Sequence, residues 1–469
     1  MPTKLRPADY LHLRGETNPR TRSGGMGVNL LDTTPDWDTF RAHFDNASRR
    51  VLRLRQKVVV PTLRTAAPRW VVDPDFDLNF HVRRVRVPEP ATMREVFDMA
   101  EVMLLSPMDL ARPLWTVTLV EGLPEGRAAM LLHTSHALTD GVGAVEMFDQ
   151  IFDLERDPPA EPPPPPPVPQ PLSPNGLIRQ GIQQVPRAIV SAVWGALSMI
   201  RSVVLRPMSA AARVVGYSRS GIRVLTPPAE QSPLLRQRSL ATRTEALDIR
   251  VSDLRKAAKA GGGSFNDAFL AAVCGAVGRY HEALGVPIDT LPMGVPVNLR
   301  TEADPAGGNR LTAVCLAAPV GMADPVARMR AIRAEMARRR EEPARDIVGS
   351  ILPILALLPQ PLLEAITGGK GPWDLSASNV PSYRDGTYIA GAEVLRQYGL
   401  SSLPGMAMAV LLQSLGPWCT VSVRYDRAAI QDDELFAQCL RESFDQILAL
   451  AGEPAPRVAL ASSARDLAG

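Results

Sequence analysis

Nine residues, His133-Thr134-Ser135-His136-Ala137-Leu138-Thr139-Asp140-Gly141, concentrate two of the chain's six histidines with an aspartate and a glycine, directly after an apolar run. In 469 residues with six histidines, a chance His-x-x-x-Asp-Gly is expected roughly 0.02 times at average Asp and Gly usage. A histidine leaving the end of a strand can project into a crevice. An aspartate four residues later can turn inward and fix the loop through a buried ion pair, while Gly141 permits a tight turn. Near neutral pH an uncharged imidazole accepts the proton of an alcohol or thiol as that group attacks an acyl carbonyl. The same spacing also suits a bland arrangement in which Asp140 caps the next helix and His136 is simply packed. Both readings stand on the spacing alone.

Other catalytic devices are missing. The chain has no G-x-S-x-G elbow and no complete G-x-G-x-x-G after a strand. Gly369-Lys370 is followed by Gly371 and lacks the upstream glycine of a phosphate-binding loop. Hydrolase, nucleotide triphosphatase and dinucleotide-binding readings all weaken. Cys274, Cys315, Cys419 and Cys439 show no C-x-x-C or His-Cys spacing, so no metal is expected and the thiols read as reduced, mostly core.

The elements around the motif alternate between strand and helix. Residues 76–87 read as a strand, Thr92-x-x-Glu95 caps a helix through 105, and 114–120 with 128–133 form a hairpin. A second helix is expected over 142–154. Further on, 240–249 is strand-like and Ser264-x-x-Asp267 caps a helix to 284. Strands follow at 291–297, 311–320, 405–413 and 420–425, and a closing helix spans 432–450. The sum is an α/β or α+β fold in two halves, divided as 1–155, a connection at 156–234, and 235–469.

With these elements in place, the nonapeptide resembles the His-His-x-x-x-Asp-Gly motif of the wax ester synthase/diacylglycerol acyltransferases, a bacterial group within the chloramphenicol-acetyltransferase-like superfamily. Arg112-Pro113-Leu114-Trp115 resembles that family's Pro-Leu-Trp motif and Asn266-Asp267 its Asn-Asp motif. Val295-Pro-Val-Asn-Leu-Arg300 with Gly308-Asn309, and Ser378-Asn379-Val380-Pro381, resemble two later segments. The matches follow the family's order from about residue 68 to 425. The resemblance implies two chloramphenicol-acetyltransferase-like domains with the active-site tunnel at their interface. It implies transfer of a fatty acyl group from acyl-CoA, a co-substrate, to diacylglycerol or a long-chain alcohol, with no cofactor, metal or covalent intermediate. His136 would be the general base and Asp140 the orienting acid, paired with an arginine such as Arg300. Ser135, Gly141, Asn266, Ser378 and Asn379 would line the substrates. Pro113, Leu114 and Trp115 read as packing, and Arg112 and Arg300 as support.

One position departs from the family: its first motif histidine is Ser135 here. Acyl transfer is expected to survive, with acceptor choice or rate altered. A specialised acceptor, or a catalytically silent lipid-binding homologue, are the alternatives, and on the latter Ser135→His would restore activity. Ser382-Tyr383 also replaces the family's Gly-Pro.

Composition narrows the choice of partners. The hydrophobic share of 45% and charged share of 22% are those of a globular protein, and the formal charge is only +3. That charge is uneven. Six consecutive prolines, Pro162 to Pro167, sit in an extended tether, and no acid occurs between Glu161 and Glu230, while residues 176–225 carry seven arginines among apolar residues. Removing those seven charges leaves -4 for the remainder. Arginines interleaved with Trp194, Leu197, Met199 and Ile200 suit an amphipathic element, lying on anionic lipid or packed on the second half. Nucleic acid is disfavoured, because the arginines are widely spread and only Trp194 and Tyr217 are available for stacking. No uncharged apolar run reaches the length of a membrane span and the start lacks a secretory leader, so the expected location is cytoplasmic, peripheral to a membrane or lipid droplet.

Overall fold

The computed structural model describes residues 3–61, 67–138, 147, 149–159, 162–169, 226–298, 311–341, 352, 355–367, 371–381, 383–452 and 459–460. In the first half, β1 (Thr3–Lys4) and α1 (Pro7–Gly15) lead into β2 (Gly24–Leu31), α2 (Trp37–Arg50), β3 (Gln56–Val59) and β4 (Arg69–Val72). Then come α3 (Leu78–His81), β5 (Val82–Arg86), α4 (Met93–Leu105), β6 (Trp115–Glu121) and β7 (Ala128–Ser135). The second half runs through β8 (Thr242–Arg250), α5 (Val251–Ala260), α6 (Phe265–Ala283), β9 (Leu291–Asn298), β10 (Leu311–Ala318), α7 (Pro325–Arg340) and α8 (Gln360–Thr367). It ends with β11 (Leu375–Pro381), β12 (Tyr388–Ile389), β13 (Ala392–Ser401), β14 (Met408–Leu415), β15 (Trp418–Asp426), α9 (Asp433–Leu448) and β16 (Ala459–Leu460).

Two mixed sheets result. One has the order β12-β13-β2-β7-β6-β5 and the other β10-β9-β11-β14-β15-β8-β16. The first therefore takes two of its six strands from the second half: β13 lies antiparallel on β2, with Tyr398 opposite Val28 and Leu400 opposite Met26. Alternation explains why such strands hold. Leu119, Met130 and Leu132 face Phe40, Phe44 and Trp70, while Met26, Val28 and Leu131 face Phe97 and Leu104 on the other side. A third cluster, around Phe269, Met293, Val410 and Phe436, fills the second half.

Helix α4 is fixed by its sequence. The Thr92 side chain caps it, and the Glu95 carboxylate accepts from the Thr92 backbone N–H at 2.8 Å. One flank, with Arg94 and Glu101, then carries the seam between the halves. Arg94 donates to the Thr244 carbonyl at 2.6 Å and lies 3.3 Å from Glu101 and 3.8 Å from Glu245. Between the two sheets, Asp248 on β8 accepts from the Tyr398 hydroxyl at 2.9 Å and from Arg396 at 3.0 Å, both on β13.

Two expected elements differ. Residues 76–87 begin with the helical turn α3, because the Asp77 carboxylate accepts from the Asn79 N–H at 3.0 Å and starts a turn before β5. The expected helix over 142–154 is absent from 149–154, where turns end in a bridge between Asp153 and Tyr388. Tertiary pairing with β12 there overrides the apolar spacing. The proline tether lies along the first half, with Arg49 donating to the Pro164 carbonyl at 3.3 Å and Pro162 and Pro163 exposed. The arginine-rich stretch at 176–225 lies outside the described residues. Among the described residues no helix is long and apolar enough to cross a membrane.

Candidate active site

Strand β7 pairs with β2 so that Ser135 stands opposite Gly24 and His133 opposite Met26. The next residue, His136, donates its backbone N–H to the Ser23 carbonyl at 3.1 Å. Gly24 is in turn clasped by the second half: its N–H donates to the Ser402 hydroxyl at 3.0 Å, and the Ser402 N–H donates to its carbonyl at 3.0 Å. The end of the hairpin thus places His136 where the two halves meet. The ring lies against β2, since a Cβ on Gly25 would stand 3.8 Å from His136 Cε1, an ordinary van der Waals contact.

Helix α1 covers this point with residues that the sequence reading missed. The His12 ring lies 5.7 Å from the His136 ring, centroid to centroid, and its Nδ1 shares a hydrogen bond of 2.6 Å with the Ser23 hydroxyl. Burial, and then the neighbouring His136, push the His12 imidazole down to about 3, so it is uncharged at any working pH. Four residues on, Glu16 accepts from the Ser135 hydroxyl at 2.7 Å and faces Arg22 at 3.7 Å. Burial raises its carboxyl above the usual range, against the pull of Ser135 and Arg22. The usable signal was the i, i+4 spacing of His12 and Glu16 on one helix face, followed by the Gly24-Gly25-x-Gly27 pattern of close backbone approach.

The Ser135 hydroxyl is consequently engaged within the protein. The residue is 1% exposed, donates to Glu16 and accepts from the Ala137 N–H at 3.2 Å. An imidazole at this position has to displace the Glu16 carboxylate. Ser135→His is therefore expected to lower stability by about 1–3 kcal/mol through overpacking, without raising turnover. Thermal melting and CoA release measured on the same sample check both parts.

His133 is buried on the face of the sheet that packs on α4, and burial, followed by Arg22, pushes it down to about 4. Between an unfolded value of about 6.5 and that folded value, only the unfolded chain binds the proton, so stability falls as pH drops through this window. Relative to His133→Asn, the wild type is expected to lose about 2 kcal/mol between pH 7 and pH 5. Urea midpoints of both proteins at the two pH values give the difference, and a gap independent of pH contradicts it.

The remaining candidates are distributed as follows. Trp115 is 1% exposed, stacks on His81 at 4.6 Å and donates its indole N–H to the Leu54 carbonyl at 2.7 Å. Pro113 and Leu114 are buried beside it. Arg112 pairs with Asp109 at 3.3 Å and covers the Phe80 ring at 4.4 Å. Asn266 is half-buried in the first turn of α6, where Ser264 and Asp267 form the capping box and Asp267 also accepts from Arg333 at 3.0 Å. Ser378 is half-buried and Asn379 exposed on β11, which pairs in parallel with β14. Tyr383 packs on Phe152 at 4.1 Å. Asp140, Gly141 and Arg300 lie outside the described residues, as do Gly308, Asn309 and Ser382. The four cysteines are unpaired, and burial pushes the Cys274 thiol up to about 12, which keeps it unreactive. Among the described residues no cluster of His, Cys, Asp or Glu is arranged to hold a metal.

Residues 4–269 match the wax ester synthase/diacylglycerol acyltransferase catalytic domain, and residues 307–448 match the C-terminal domain of the same family. The chain belongs to the wax ester synthase/diacylglycerol acyltransferase family. It is an acyltransferase. Over 463 residues it is 66% identical to a Mycobacterium tuberculosis H37Rv protein named "Putative diacyglycerol O-acyltransferase Rv2484c", covering 98% of this chain and 94% of the relative. A second protein of that strain, "Putative diacyglycerol O-acyltransferase Rv3087", is 28% identical over 91% of this chain and 93% of its own length. Among solved structures, the wax ester synthase/diacylglycerol acyltransferase from Marinobacter aquaeolei VT8 superimposes with a TM-score of 0.64 at 20% identity, covering 96% of this chain and 100% of that one. The first condensation domain of the calcium-dependent antibiotic synthetase does so at 0.59 and 16%, covering 98% and 100%. The family member described here thus has the two-domain chloramphenicol-acetyltransferase-like fold.

Proposed function

We propose that the chain transfers a fatty acyl group from acyl-CoA to the hydroxyl of diacylglycerol or of a long-chain alcohol, giving triacylglycerol or wax ester, with His136 as general base. The observation that carries this reading is the position of His136 at the seam of the two halves, held by Ser23 and covered by His12. The acceptor oxygen attacks the thioester carbonyl while the imidazole takes its proton. The tetrahedral intermediate then expels the CoA thiolate, which recovers that proton from the imidazolium. Asp140 orients the base, with Arg300 as its partner, and Gly141 shapes the turn. Asn266, Ser378 and Asn379 line the substrates. Acyl-CoA is a co-substrate, and the reaction so written needs no cofactor.

Both substrates are amphipathic, so the enzyme works at a membrane or lipid-droplet surface from the cytoplasmic side. The arginine-rich stretch at 176–225 supplies the attraction to anionic lipid. The intact placement of His136 beside Ser135, whose hydroxyl is held by Glu16, supports the active enzyme over a silent lipid-binding homologue. The test uses purified chain with palmitoyl-CoA and either diacylglycerol or hexadecanol, following CoA release. Release at the protein-free rate with both acceptors overturns the proposal, and a panel of other alcohols and amines identifies a specialised acceptor.

A further inference from the structure

In the seam between the halves, lined by Arg22 and Leu104 of the first and by Ser402 and Arg424 of the second, lies a cavity of about 260 Å³. Four guanidinium groups line it, those of Arg20, Arg22, Arg238 and Arg424, with a single carboxylate, Asp426. That carboxylate is already engaged by the backbone. It accepts from the Ser239 N–H at 2.6 Å, the Ser239 hydroxyl at 2.7 Å and the Ala428 N–H at 2.8 Å.

Arg22 faces Glu16 at 3.7 Å and donates to the Leu105 carbonyl, whereas Arg424 and Arg238 are under-compensated. Arg424 is 2% exposed and donates to the Ser401 carbonyl at 3.0 Å and the Thr242 hydroxyl at 2.9 Å, but its Nε has no hydrogen-bond partner. Among the described residues no carboxylate forms an ion pair with it, and burial pushes it down to about 10. Arg238 likewise leaves Nε and Nη2 without hydrogen bonds, and its nearest carboxylate oxygen, on Asp374, is 3.9 Å away. Half-buried arginines elsewhere in this fold do better. Arg94 meets Glu101 and Glu245, and Arg396 meets Asp248 at 3.0 Å. A buried cation without a partner is costly, and the planar guanidinium fork matches a phosphate oxygen pair.

Position ties the cavity to the reaction. Arg22 directly precedes Ser23, whose carbonyl accepts from the His136 N–H, and Ser402, another lining residue, holds Gly24. The volume is below the roughly 300–1,000 Å³ of a pocket that encloses a whole drug-sized ligand, so it suits a charged head group with the rest of the molecule outside.

We propose that this cavity is an anion site for a phosphate ester carried by one of the two substrates, gripped by Arg20, Arg22, Arg238 and Arg424. The inference rests on the reading of acyl-CoA as donor, whose phosphates are one source. A phosphorylated lipid acceptor is the other.

Calorimetry on the full chain tests it without turnover, using CoA, 3′-dephospho-CoA, lysophosphatidate, inorganic phosphate and, as a phosphate-free control, pantetheine. The expected result is binding of CoA or of lysophosphatidate well above pantetheine, weakened about tenfold in Arg20→Gln and in Arg238→Gln, the size of one charge-assisted hydrogen bond. Arg20 is exposed, so its variant keeps the fold; Arg238 is only 10% exposed, so thermal melting accompanies the titrations of Arg238→Gln and of Arg424→Lys, which tests the buried position. Tighter binding of CoA assigns the phosphate to the acyl carrier, and tighter binding of lysophosphatidate assigns it to the acceptor. Pantetheine binding as tightly as both esters, affinities within twofold in both Gln variants, or binding of inorganic phosphate alone overturns the proposal. If phosphate binding stands while no acceptor yields CoA release, the proposed activity fails and the site remains.

Discussion

His136→Ala is expected to lower kcat/KM for palmitoyl-CoA by about 10²–10⁴-fold, the range for loss of a positioned general base. The residue is half-buried at the end of β7, and its backbone N–H bond to Ser23 survives the change, so the fold should persist. His12 stands 5.7 Å away but offers no substitute, because its Nδ1 is occupied by Ser23 and its depressed pKa makes it a poor proton acceptor. The measurement is CoA release by wild type and variant at equal folded concentration, established by circular dichroism. A loss under tenfold removes His136 as the base.

The largest effect on stability is expected from Trp115→Ala. The indole is enclosed by Phe44 at 6.2 Å and His81 at 4.6 Å, and its N–H satisfies the Leu54 carbonyl. Truncation removes the apolar contacts, leaves a cavity the surrounding strands cannot close, and orphans one acceptor. About 3–5 kcal/mol should be lost, the usual cost of Trp→Ala in a core. Guanidinium unfolding measures it. A shift under 1 kcal/mol would mean that Trp115 contributes little to the packing of β6. Because Trp115 begins the strand that pairs with β7, opposite Thr134, the loss should also loosen the hairpin that carries His136.

Local signals in the chain were strong where one side chain acts on its own neighbours. The Thr92–Glu95 and Ser264–Asp267 capping boxes are bonds within three residues, and both helices begin where the spacing predicted. The hairpin up to the motif was equally legible, because alternation over β6 and β7 needs only one buried sheet. The helix expected over 142–154 failed over its described part because the competing bridge comes from Tyr388, more than two hundred residues away. Residue types at 133–141 disclosed a candidate base and, by resemblance, a reaction.

What covers that base could not be read from the chain. His12 and Glu16 lie in a segment of unremarkable composition, and they reach residues 136 and 135 only because β2 pairs with β7. The strand β13 crosses into the first sheet and brings Ser402 onto Gly24, a contact across 378 residues. The four arginines of the cavity are likewise dispersed between positions 20 and 424, indistinguishable in sequence from surface arginines. Sequence alone determined the helix caps, the hairpin, the family and the motif, because those depend on nearest neighbours and residue identity. The environment of His136, the fate of Ser135 and the cluster of uncompensated charge were decided by tertiary structure, since burial and long-range pairing set which groups meet and which are left without a partner.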